Sequence, residues 1–411
     1  MSLLVMKFGG TSVGDVDRIK NAAAKVAAEV QRGHKVAVVV SAMAGATDGL
    51  INLCRSVTPH YDLREYDVVV STGEQITAGL MALALRQHGL TARSWQGWQL
   101  PLKTDGNYGN ARIMSIDGDK ARERILDGEI AVLAGFQGIN DDNRITTLGR
   151  GGSDTSAVAL AIAIKADRCD IYTDVAGVYT ADPRIVTKAR KMSRVSYEEM
   201  LELASLGAKV LHTRSVELGM RYRMPIQVLS TFANALGSDT PGTILTDGDE
   251  TMEQNMVTGI AYNSNQAKIT LAKVVDKPGI AAAVFAPLAR AGINVDMIVQ
   301  TDSTETGSTD ITFTVGKNDL ERACKILESE RGTIQYSNLQ SSADVTKISL
   351  VGFGMRSHSG VAATMFETLA SKGINIQVIE TSEINTSVLI DEEYTELALR
   401  ALHTAYGLDG Q

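Results

Sequence analysis

Two stretches in the C-terminal third of the chain are copies of one another, and this duplication constrains the fold more than any other feature. Residues 276–301 align without gaps with residues 357–382, and ten of the 26 positions are identical. Each copy has the pattern of a strand, a glycine turn, an amphipathic helix and a second strand. A small duplicated α/β unit is more typical of a ligand sensor than of a site of chemistry. We therefore expect a catalytic region followed by a regulatory one.

Bulk composition excludes several classes of protein. The chain has 411 residues, too many for one ordinary core, and its 44% hydrophobic and 21% charged residues are typical of globular domains. A net charge of −8 without a long basic cluster argues against a nucleic acid or an anionic membrane as partner. No signal-peptide pattern and no run of about 18 apolar residues is present, so we expect a cytoplasmic protein. Cys54, Cys169 and Cys324 lie far apart and are expected to be thiols without a chemical role.

Residues 1 to about 230 alternate between short apolar runs and helical patterns. This alternation predicts an α/β fold with a mostly parallel sheet covered by helices on both faces. Ligands of such sheets bind at the carboxyl ends of the strands. The predicted strands are 3–7, 36–41, 92–95, 130–136, 169–173 and 226–229, and the predicted helices include 16–32, 73–88, 155–165 and 209–222.

The duplicated region has one strand too few. Unit one is predicted as βαββαβ, with strand 268–275, helix 279–291, strands 294–300 and 309–315, helix 320–330 and a strand near 333–339. Unit two is predicted as strand 347–353, helix 360–372, strands 375–381 and 386–390, and helix 394–406, without a last strand. The apolar segment 257–262 has no other partner, so we expect it to complete unit two, with unit one inserted in unit two. The predicted domains are 1–245 for catalysis, 246–266 for a linker and that strand, 267–341 for unit one and 342–411 for unit two.

The first turn with candidate chemistry follows the first predicted strand. The sequence contains neither GxxxxGK[ST] nor GxGxxG, which argues against the common nucleotide-binding loops. Lys7 is at the end of the strand, where an ammonium can reach a transferring phosphoryl group. Gly9 and Gly10 allow backbone N–H groups to approach a phosphate closely. The alternative is an ordinary strand–turn–helix junction with a solvated lysine.

Two further turns open helices. Arg150 stands beside two glycines ahead of an alanine-rich helix, so bare amides, the positive end of the helix and a guanidinium fork would face an anion. The alternative is a capped helix with Ser153 or Asp154 as the N-cap. Glu74 opens an earlier helix, either as an acid that complements the helix dipole or as a group that recognises an ammonium.

A fourth candidate is the loop at 172–184. Tyr179, Asp174, Asp182 and Arg184 could together hold a base, a ribose and a metal-bound polyphosphate. On composition alone, the same loop could be any long turn.

Together these segments resemble the aspartate kinases of the amino acid kinase family, in the monofunctional form with two C-terminal ACT units. The resemblance covers essentially the whole chain. It rests on KFGGTSV at 7–13, VVSAM at 39–43, STGE at 71–74, TTLGRGGSDTSA at 146–157, the TDV and GVYTADPR segments within 173–184, and the duplicated units.

The resemblance assigns roles to individual positions. Lys7 and Asp154 would be catalytic, Arg150 would hold the α-carboxylate of aspartate and Glu74 its α-ammonium. The substrate positions are Ser41, Thr47, Glu74, Arg150, Gly152, Ser153 and Asp154. The ATP positions are Lys7, Phe8, Gly9, Gly10, Ser12, Thr173, Asp174, Tyr179, Asp182, Arg184 and Lys209.

The implied reaction transfers the γ-phosphoryl group of ATP, with Mg²⁺, to the β-carboxylate of L-aspartate. This is the first step towards lysine, threonine and methionine. A carboxylate is already a nucleophile at neutral pH, so the chemistry needs no general base, and we expect a site without histidine. No residue is assigned as a metal ligand.

The resemblance also implies feedback control. Lysine, threonine or both would be the effectors, and the chain would form a homo-oligomer through its ACT units or associate with a shorter regulatory chain. Asp276, Asn294, Asp296 and Gln300 would line one effector site. The full set of effector positions is Asp276, Gly279, Asn294, Asp296, Gln300, Gly360, Val361, Asn375, Ile376, Ser382 and Glu383.

Some positions depart from the family pattern, and two alternatives stay open. Ala176 stands where an aspartate is usual, Thr213 where a proline is usual, and residues 385–386 where a basic and an apolar residue are usual. One alternative is a family member with another acceptor, such as acetylglutamate, glutamate, carbamate or a nucleotide. The other is a regulatory subunit with an inert kinase fold, against which the intact Lys7, Glu74 and Arg150 argue.

Overall fold

The computed structural model describes residues 1–100, 102–208, 210–233, 241–247, 256–303, 307–352, 355 and 360–410. The chain divides into two compact units. The first comprises Met1–Val178, Lys191–Ser205 and Lys209–Glu250, and the second comprises Tyr179–Arg190, Leu206–Ala208 and Thr251–Gln411. The segment Tyr179–Arg190, which the predicted boundary at residue 245 leaves in the catalytic region, groups with the second unit.

The first unit is built on a mostly parallel sheet. Its strands are β1 (Leu3–Phe8), β2 (Lys35–Val40), β3 (Ala92–Trp95), β4 (Leu102–Thr104), β5 (Ile113–Ile116), β6 (Ile130–Ala134), β7 (Gln137–Ile139), β8 (Ile145–Thr147), β9 (Arg168–Thr173), β10 (Arg194–Ser196), β11 (Ile226–Ser230) and β12 (Thr243–Thr246). The described residues form an eight-stranded sheet in the order β10-β12-β11-β9-β1-β2-β6-β3. The six strands from β11 to β3 are parallel, and β12 runs antiparallel to β11.

Helices cover this sheet because its central strands are apolar on both faces. The helices are α1 (Val16–Gln31), α2 (Ala46–Val57), α3 (Leu63–Val70), α4 (Thr72–Gln87), α5 (Asp119–Leu126), α6 (Gly152–Ala163), α7 (Tyr197–Ser205) and α8 (Thr213–Tyr222). Every residue of β1 is buried, as a strand covered on both faces requires. Met6, Val38 and Val132 of the sheet share one core with Ala22 of α1 and Met81 of α4.

The six predicted strands of this unit are confirmed to within two residues. The predicted strand 130–136 ends early, at Ala134, because Gly135 follows and Phe136 adopts a left-handed backbone with φ 68°. A four-stranded sheet in the order β5-β4-β7-β8 was not predicted, since strands of three or four residues leave almost no periodic signal. The helical stretch from Leu63 to Gln87 is long and apolar enough to cross a membrane, but half of its most apolar window is buried, as in a core helix.

Two helix starts differ from the predictions. Helix α6 begins at Gly152 rather than 155, and its N-cap is Gly151 with φ 71° and no side-chain cap. The alternative with Ser153 or Asp154 as N-cap is therefore wrong, because both lie inside the first turn. Helix α8 begins at Thr213 rather than 209. Thr213 occupies the first helical position of α8. Proline is favoured at this position, so the proline that is usual in the family would fit the same helix start.

The second unit contains one sheet shared by both repeats. Its strands are β13 (Gly259–Val275), β14 (Val295–Ser303), β15 (Ser308–Val315), β16 (Asn338–Val351), β17 (Val378–Thr381) and β18 (Asn385–Asp391). Its helices are α9 (Ile280–Arg290), α10 (Leu320–Ser329), α11 (Arg331–Ile334), α12 (Val361–Ser371) and α13 (Thr395–Ala405). The order of the six strands within the described residues is β14-β15-β13-β16-β18-β17.

The two repeats are joined by strands that run through both. The first part of β13 pairs with the end of β16, from Gly259 opposite Val351 to Asn263 opposite Lys347. The later part of β13 pairs with β15 and the start of β16. This pairing confirms that the segment before unit one completes unit two. The prediction of two separate strands, 257–262 and 268–275, is wrong, because β13 is one 17-residue strand with irregular register around Gln266.

The last strand of unit one also starts later than predicted. Thr333 and Ile334 lie in the short helix α11, and β16 begins at Asn338. The segment Tyr179–Arg190 belongs to this unit because its apolar side chains are buried in the core of this unit. Ala181 and Val186 are buried in the same core as Ile348 and Leu402.

Candidate active site

Lys7 and Asp154 form a buried ion pair at the carboxyl end of the central strand β1. Lys7 is only 7% exposed, and a Cβ added to Gly9 would lie 3.3 Å from its Nζ. Asp154 comes from the first turn of α6. An ammonium held beside a glycine turn at a strand end is placed to neutralise a phosphoryl group during transfer.

The turn after β1 brings backbone to this point. The Gly9 N–H donates to the carbonyl of Tyr172 at 3.2 Å, so it continues the pairing of β1 with β9. A Cβ on Gly10 would lie 3.1 Å from the carbonyl oxygen of Ala42. Glycine at position 10 therefore allows the turns after β1 and β2 to meet, whereas the Gly9 amide is already used by the sheet.

Two residues assigned to ATP by resemblance have side chains occupied by the fold. Phe8 is buried and stacks on the ring of Tyr172, with ring centroids 4.8 Å apart. The Ser12 hydroxyl is buried, donates to the Tyr172 carbonyl at 3.3 Å and lies 2.6 Å from Thr231 Oγ1. Both side chains are therefore buried and engaged within the fold, and the assignment of these two positions to ATP stays a prediction.

Glu74 is a buried carboxylate that is only half satisfied. It lies in the first turn of α4, is 3% exposed, and its Oε1 accepts the Ala42 N–H at 3.0 Å. Its Oε2 has no hydrogen-bond partner among the residues that the structure describes. Burial raises the pKa of Glu74 to about 7, against the opposing effect of the bond from Ala42. A buried oxygen without a donor is costly, and an ammonium would satisfy it.

Arg150 is exposed beside the start of α6. Within the described ranges it makes no ion pair. It is followed by Gly151, the left-handed N-cap of α6, and by Gly152, where a Cβ would lie 2.8 Å from Leu148 Cβ. Ser153 is buried against the end of β6, since a Cβ on Gly135 would lie 3.0 Å from it. A guanidinium and the N-terminus of a helix thus meet in one place.

His212 is a residue that the sequence did not place in the site. A Cβ on Gly151 would overlap its ring, at 2.2 Å from Cγ, so the imidazole packs directly on the glycine turn. Burial lowers the pKa of His212, although the nearby Asp154 opposes this shift. The expectation of a site without histidine is therefore wrong. The only sequence signal was its place just before α8, and contact with Gly151 depends on tertiary packing.

Two other residues missed from the sequence hold the Arg150 loop. Asp67, fully buried on α3, accepts the Thr147 N–H at 2.9 Å and the Thr147 hydroxyl at 2.6 Å. It also accepts the Gly109 N–H at 3.0 Å. Arg214 donates to the carbonyl of Leu148 at 2.6 Å. These bonds fix the backbone immediately before Arg150.

Ser41 and Thr47, the other two positions that the resemblance assigns to the substrate, lie at the end of a strand and the start of a helix. Ser41 directly follows β2, and its N–H donates to the Phe8 carbonyl at 3.1 Å, which places it beside the end of β1. Thr47 is in the first turn of α2, after Gly45 with φ 77°. Both positions therefore belong to the same edge of the sheet as Lys7.

The proposed nucleotide residues are divided between the two units. Thr173 is the last residue of β9 and Asp174 follows it in the first unit, and the Thr173 hydroxyl donates to Asp174 at 3.1 Å. Asp182 and Arg184 belong to the second unit and pair with each other, with Arg184 Nη2 2.7 Å from Asp182 Oδ2. The bonds from Arg184 hold the pKa of Asp182 below its usual value. Tyr179 begins the same segment, and Lys209 lies outside the described residues.

The predicted effector residues of unit one do not lie together within one chain. Asp296 is opposite Thr314 on β15, whereas Asp276 follows Val275, which is opposite Ser308. Six residues of strand separate these positions by roughly 20 Å. Asp276 therefore lies apart from Asp296 of the same chain, and the effector site that the resemblance implies stays a prediction. Asp276, Gly279, Asn294 and Gln300 are exposed.

Asp296 instead takes part in an ion triad. Lys347 Nζ lies 2.9 Å from Asp296 Oδ2 and 2.9 Å from Glu380 Oε2. Burial would lower the pKa of Lys347, but its bonds to Asp296 and Glu380 outweigh burial and raise it. Because Asp296 is on β14 and Glu380 on β17, this lysine links the two repeats.

In unit two, the predicted effector positions lie at the start of α12 and just before and after β17. Gly360 is the N-cap of α12, Val361 is its buried first residue, and Asn375 and Ile376 precede β17. Ser382 and Glu383 form the turn into β18, where the Ser382 N–H donates to the Asn385 carbonyl at 2.8 Å. The unusual pair Asn385 and Thr386 begins β18 and is buried there.

Comparison with known proteins agrees with this architecture. Residues 2–230 match the amino acid kinase family, and residues 271–330 and 348–406 match the ACT domain. An aspartate kinase of Pseudomonas putida is 49% identical over 410 residues, which is 100% of this chain and 98% of the relative. The crystal structure of E. coli aspartokinase III with aspartate and ADP (R-state) has a TM-score of 0.80 and 26% identity, covering 98% of this chain and 99% of that one. The same enzyme with lysine and aspartate (T-state) gives 0.74 and 26% over the same shares.

The fold and site therefore define a phosphotransferase architecture with a duplicated regulatory unit. The chain belongs to the amino acid kinase family.

Proposed function

We propose that this protein is an aspartate kinase. It transfers the γ-phosphoryl group of ATP to the β-carboxylate of L-aspartate, so that a carboxylate oxygen bonds to γ-phosphorus, the bond to the β-phosphate oxygen breaks, and 4-phospho-L-aspartate and ADP form. Glu74 carries the proposal. It is a buried carboxylate held by Ala42, which meets the turn after Lys7, and one of its oxygens has no partner among the described residues, which suits a substrate with an ammonium group.

The chain's own groups supply positioning and charge. Lys7 neutralises the transferred group, and Asp154 holds its ammonium in place. Arg150 binds the α-carboxylate of aspartate through its guanidinium fork, and Glu74 binds the α-ammonium. The substrate carboxylate is the nucleophile, so the neutral His212 contributes shape rather than a proton.

ATP enters as its Mg²⁺ complex. Among the described residues, no group of three or more His, Cys, Asp or Glu side chains is arranged to hold a metal. Mg²⁺ commonly keeps several waters and binds mainly through substrate phosphates, which suits this set of residues. A cytoplasmic location, with no nucleic acid or membrane as partner, belongs to the same proposal.

Lysine, threonine or both act as feedback effectors through the ACT region. An E. coli relative was crystallised with lysine, which supports this part of the proposal. The separation of Asp276 from Asp296 favours effector sites completed by a second chain. We therefore propose a homo-oligomer formed through the ACT units, with a shorter regulatory chain as the other partner to test.

The direct test is formation of aspartyl hydroxamate from aspartate, MgATP and hydroxylamine. Parallel reactions replace aspartate with glutamate or acetylglutamate. Turnover with aspartate alone supports the proposal, and preference for another acceptor refutes it. Repeating the assay with lysine, threonine and both at millimolar concentration tests feedback, and size-exclusion chromatography with light scattering measures the oligomer.

A further inference from the structure

A buried chain of hydrogen bonds joins the segment Tyr179–Arg190 to the last helix. His403 on α13 is fully buried. Its Nε2 lies 2.9 Å from Thr180 Oγ1, and its Nδ1 lies 2.8 Å from Asp409 Oδ1. All of these residues belong to the second compact unit. A Thr–His–Asp array can activate a nucleophile, but Thr180 is only 3% exposed and therefore cannot meet a substrate.

The donors and acceptors fix the direction of each hydrogen bond in this series. Thr180 Oγ1 already accepts the Arg190 N–H at 2.9 Å. Its own proton then has His403 Nε2 as acceptor, which leaves the imidazole proton on Nδ1, directed at Asp409. The bonds from His403 and Lys188 lower the pKa of Asp409 to about 2, so its carboxylate stays ionised at neutral pH. With the imidazole proton on Nδ1, the Thr180 hydroxyl, both His403 nitrogens and the Asp409 carboxylate all have hydrogen-bond partners.

Further bonds hold the same two segments together. Lys188 Nζ lies 3.0 Å from Asp409 Oδ2, and the Gly410 N–H donates to the Lys188 carbonyl at 2.8 Å. Arg190 Nε donates to the Leu408 carbonyl at 3.0 Å. Residues 408–410, just after α13, therefore hold the far end of the segment, while His403 holds its near end.

The segment held in this way carries three residues of the proposed nucleotide set. Tyr179 immediately precedes Thr180, and Asp182 and Arg184 follow it. We infer that Thr180, His403 and Asp409 are positioning residues that fix this segment for ATP. The inference rests on the proposed function, and it makes the contribution of this segment to ATP binding depend on α13 and the residues that follow it.

A matched pair of substitutions at Thr180 tests this inference. Thr180→Val keeps the shape and removes the hydroxyl, whereas Thr180→Ser keeps the hydroxyl. We expect the KM for MgATP to rise about tenfold in Thr180→Val, because loss of the hydroxyl removes its bonds to His403 and to the Arg190 N–H, and to stay within twofold of wild type in Thr180→Ser. The KM for aspartate should stay within twofold in both. Calorimetric titration with MgATP should give the same ranking without turnover.

Asp409→Asn is the second variant, because Asp409 is partly exposed and its loss should not prevent folding. It keeps an acceptor for His403 and removes the ion pair with Lys188, so we expect a smaller rise, of about threefold, in the KM for MgATP. Asp319→Asn, which removes an exposed ion pair with Arg322 in the same unit, is the control and should change neither KM.

Three outcomes would overturn the inference. These are unchanged MgATP binding in Thr180→Val, equal weakening of MgATP and aspartate, or failure of Thr180→Ser to restore binding. A wild-type protein that binds MgATP but does not phosphorylate aspartate would refute the proposed function instead, and the titration of the Thr180 variants would still decide the inference.

Discussion

Two buried charged groups in this protein, Glu74 and Lys347, differ in how fully their polar atoms are paired. Glu74, in the first unit, has one carboxylate oxygen without a partner in the described part of the chain. Lys347, in the second, has two carboxylates at 2.9 Å. The protein environment makes the charged state of Glu74 unfavourable and that of Lys347 favourable. An unsatisfied buried charge marks a place for a ligand, whereas a satisfied one holds two pieces of chain together.

Lys7 resembles Lys347 in being a buried lysine paired with a carboxylate, but its proposed role is to neutralise the transferred phosphoryl group. Lys7→Ala removes a charge that acts mainly on the transition state, so turnover should fall on the order of 10²-fold or more. Steady-state kinetics should show smaller changes in both KM values. Turnover close to wild type would show that Lys7 has a structural role like that of Lys347.

Arg150 and Glu74 should affect the acceptor alone. Arg150→Ala and Glu74→Gln each remove one charged contact to aspartate, so the KM for aspartate should rise by roughly 10- to 100-fold. The KM for MgATP should remain within twofold of wild type. An equal rise in both constants would place these residues outside the acceptor pocket.

The pH dependence of aspartate binding should report the carboxyl of Glu74. Its pKa of about 7 means that the free protein has a neutral Glu74 in acid, so the KM for aspartate should rise as the pH falls from 8 to 6. A rise of about fivefold is expected in wild type. Glu74→Gln should remove this dependence, and a persistent titration in that variant would assign it to another group.

The stability of the free protein should vary with pH for the same reason. A carboxyl with a raised folded pKa stabilises the fold below its unfolded pKa of 4.5, and this contribution is lost as the pH rises through about 7. Glu74→Gln lacks this loss, so its Tm relative to wild type should increase between pH 5 and pH 8, by about 5 °C at most. Differential scanning fluorimetry without ligand measures this, and a constant difference would contradict it.

Lys347 should give the smallest effect. Lys347→Met breaks both ion pairs, but Asp296 and Glu380 are each more than a third exposed and can be hydrated, so we expect a loss of about 1 kcal/mol and a Tm lower by a few degrees. Uninhibited turnover should stay within twofold. A large fall in turnover without effector would show that this triad also serves the active site.

Much of the first unit was predictable because its strands and turns are marked by residues that are neighbours in the sequence. The apolar runs of β1, β2 and β9 and the glycines that follow β1 and precede α6 are all visible in the sequence, and they place Lys7, Arg150 and Asp154 at strand or helix ends. The contacts that complete the site are not local. His212 reaches Gly151, and Asp67 reaches Thr147, only once helices and strands distant in sequence have packed.

The second unit was predictable in topology but not in continuity. The missing strand showed that the repeats are interleaved, which the pairing of Gly259 with Val351 confirms. The polar run at 263–265 interrupted the apolar pattern and suggested a break, yet the backbone continues because β16 runs alongside both halves of β13. Pairing between strands overrode the local composition.

The continuous strands β13 and β16 also set how the two sensors can behave. Each repeat takes two of its strands from the same two lengths of backbone, so no single cut in the backbone separates the two repeats as two intact modules. The pair should melt in a single transition and exchange its central amides at one common rate. A change in twist caused by an effector at one end of these strands would reach the other end through continuous backbone, because no loop separates the two repeats there.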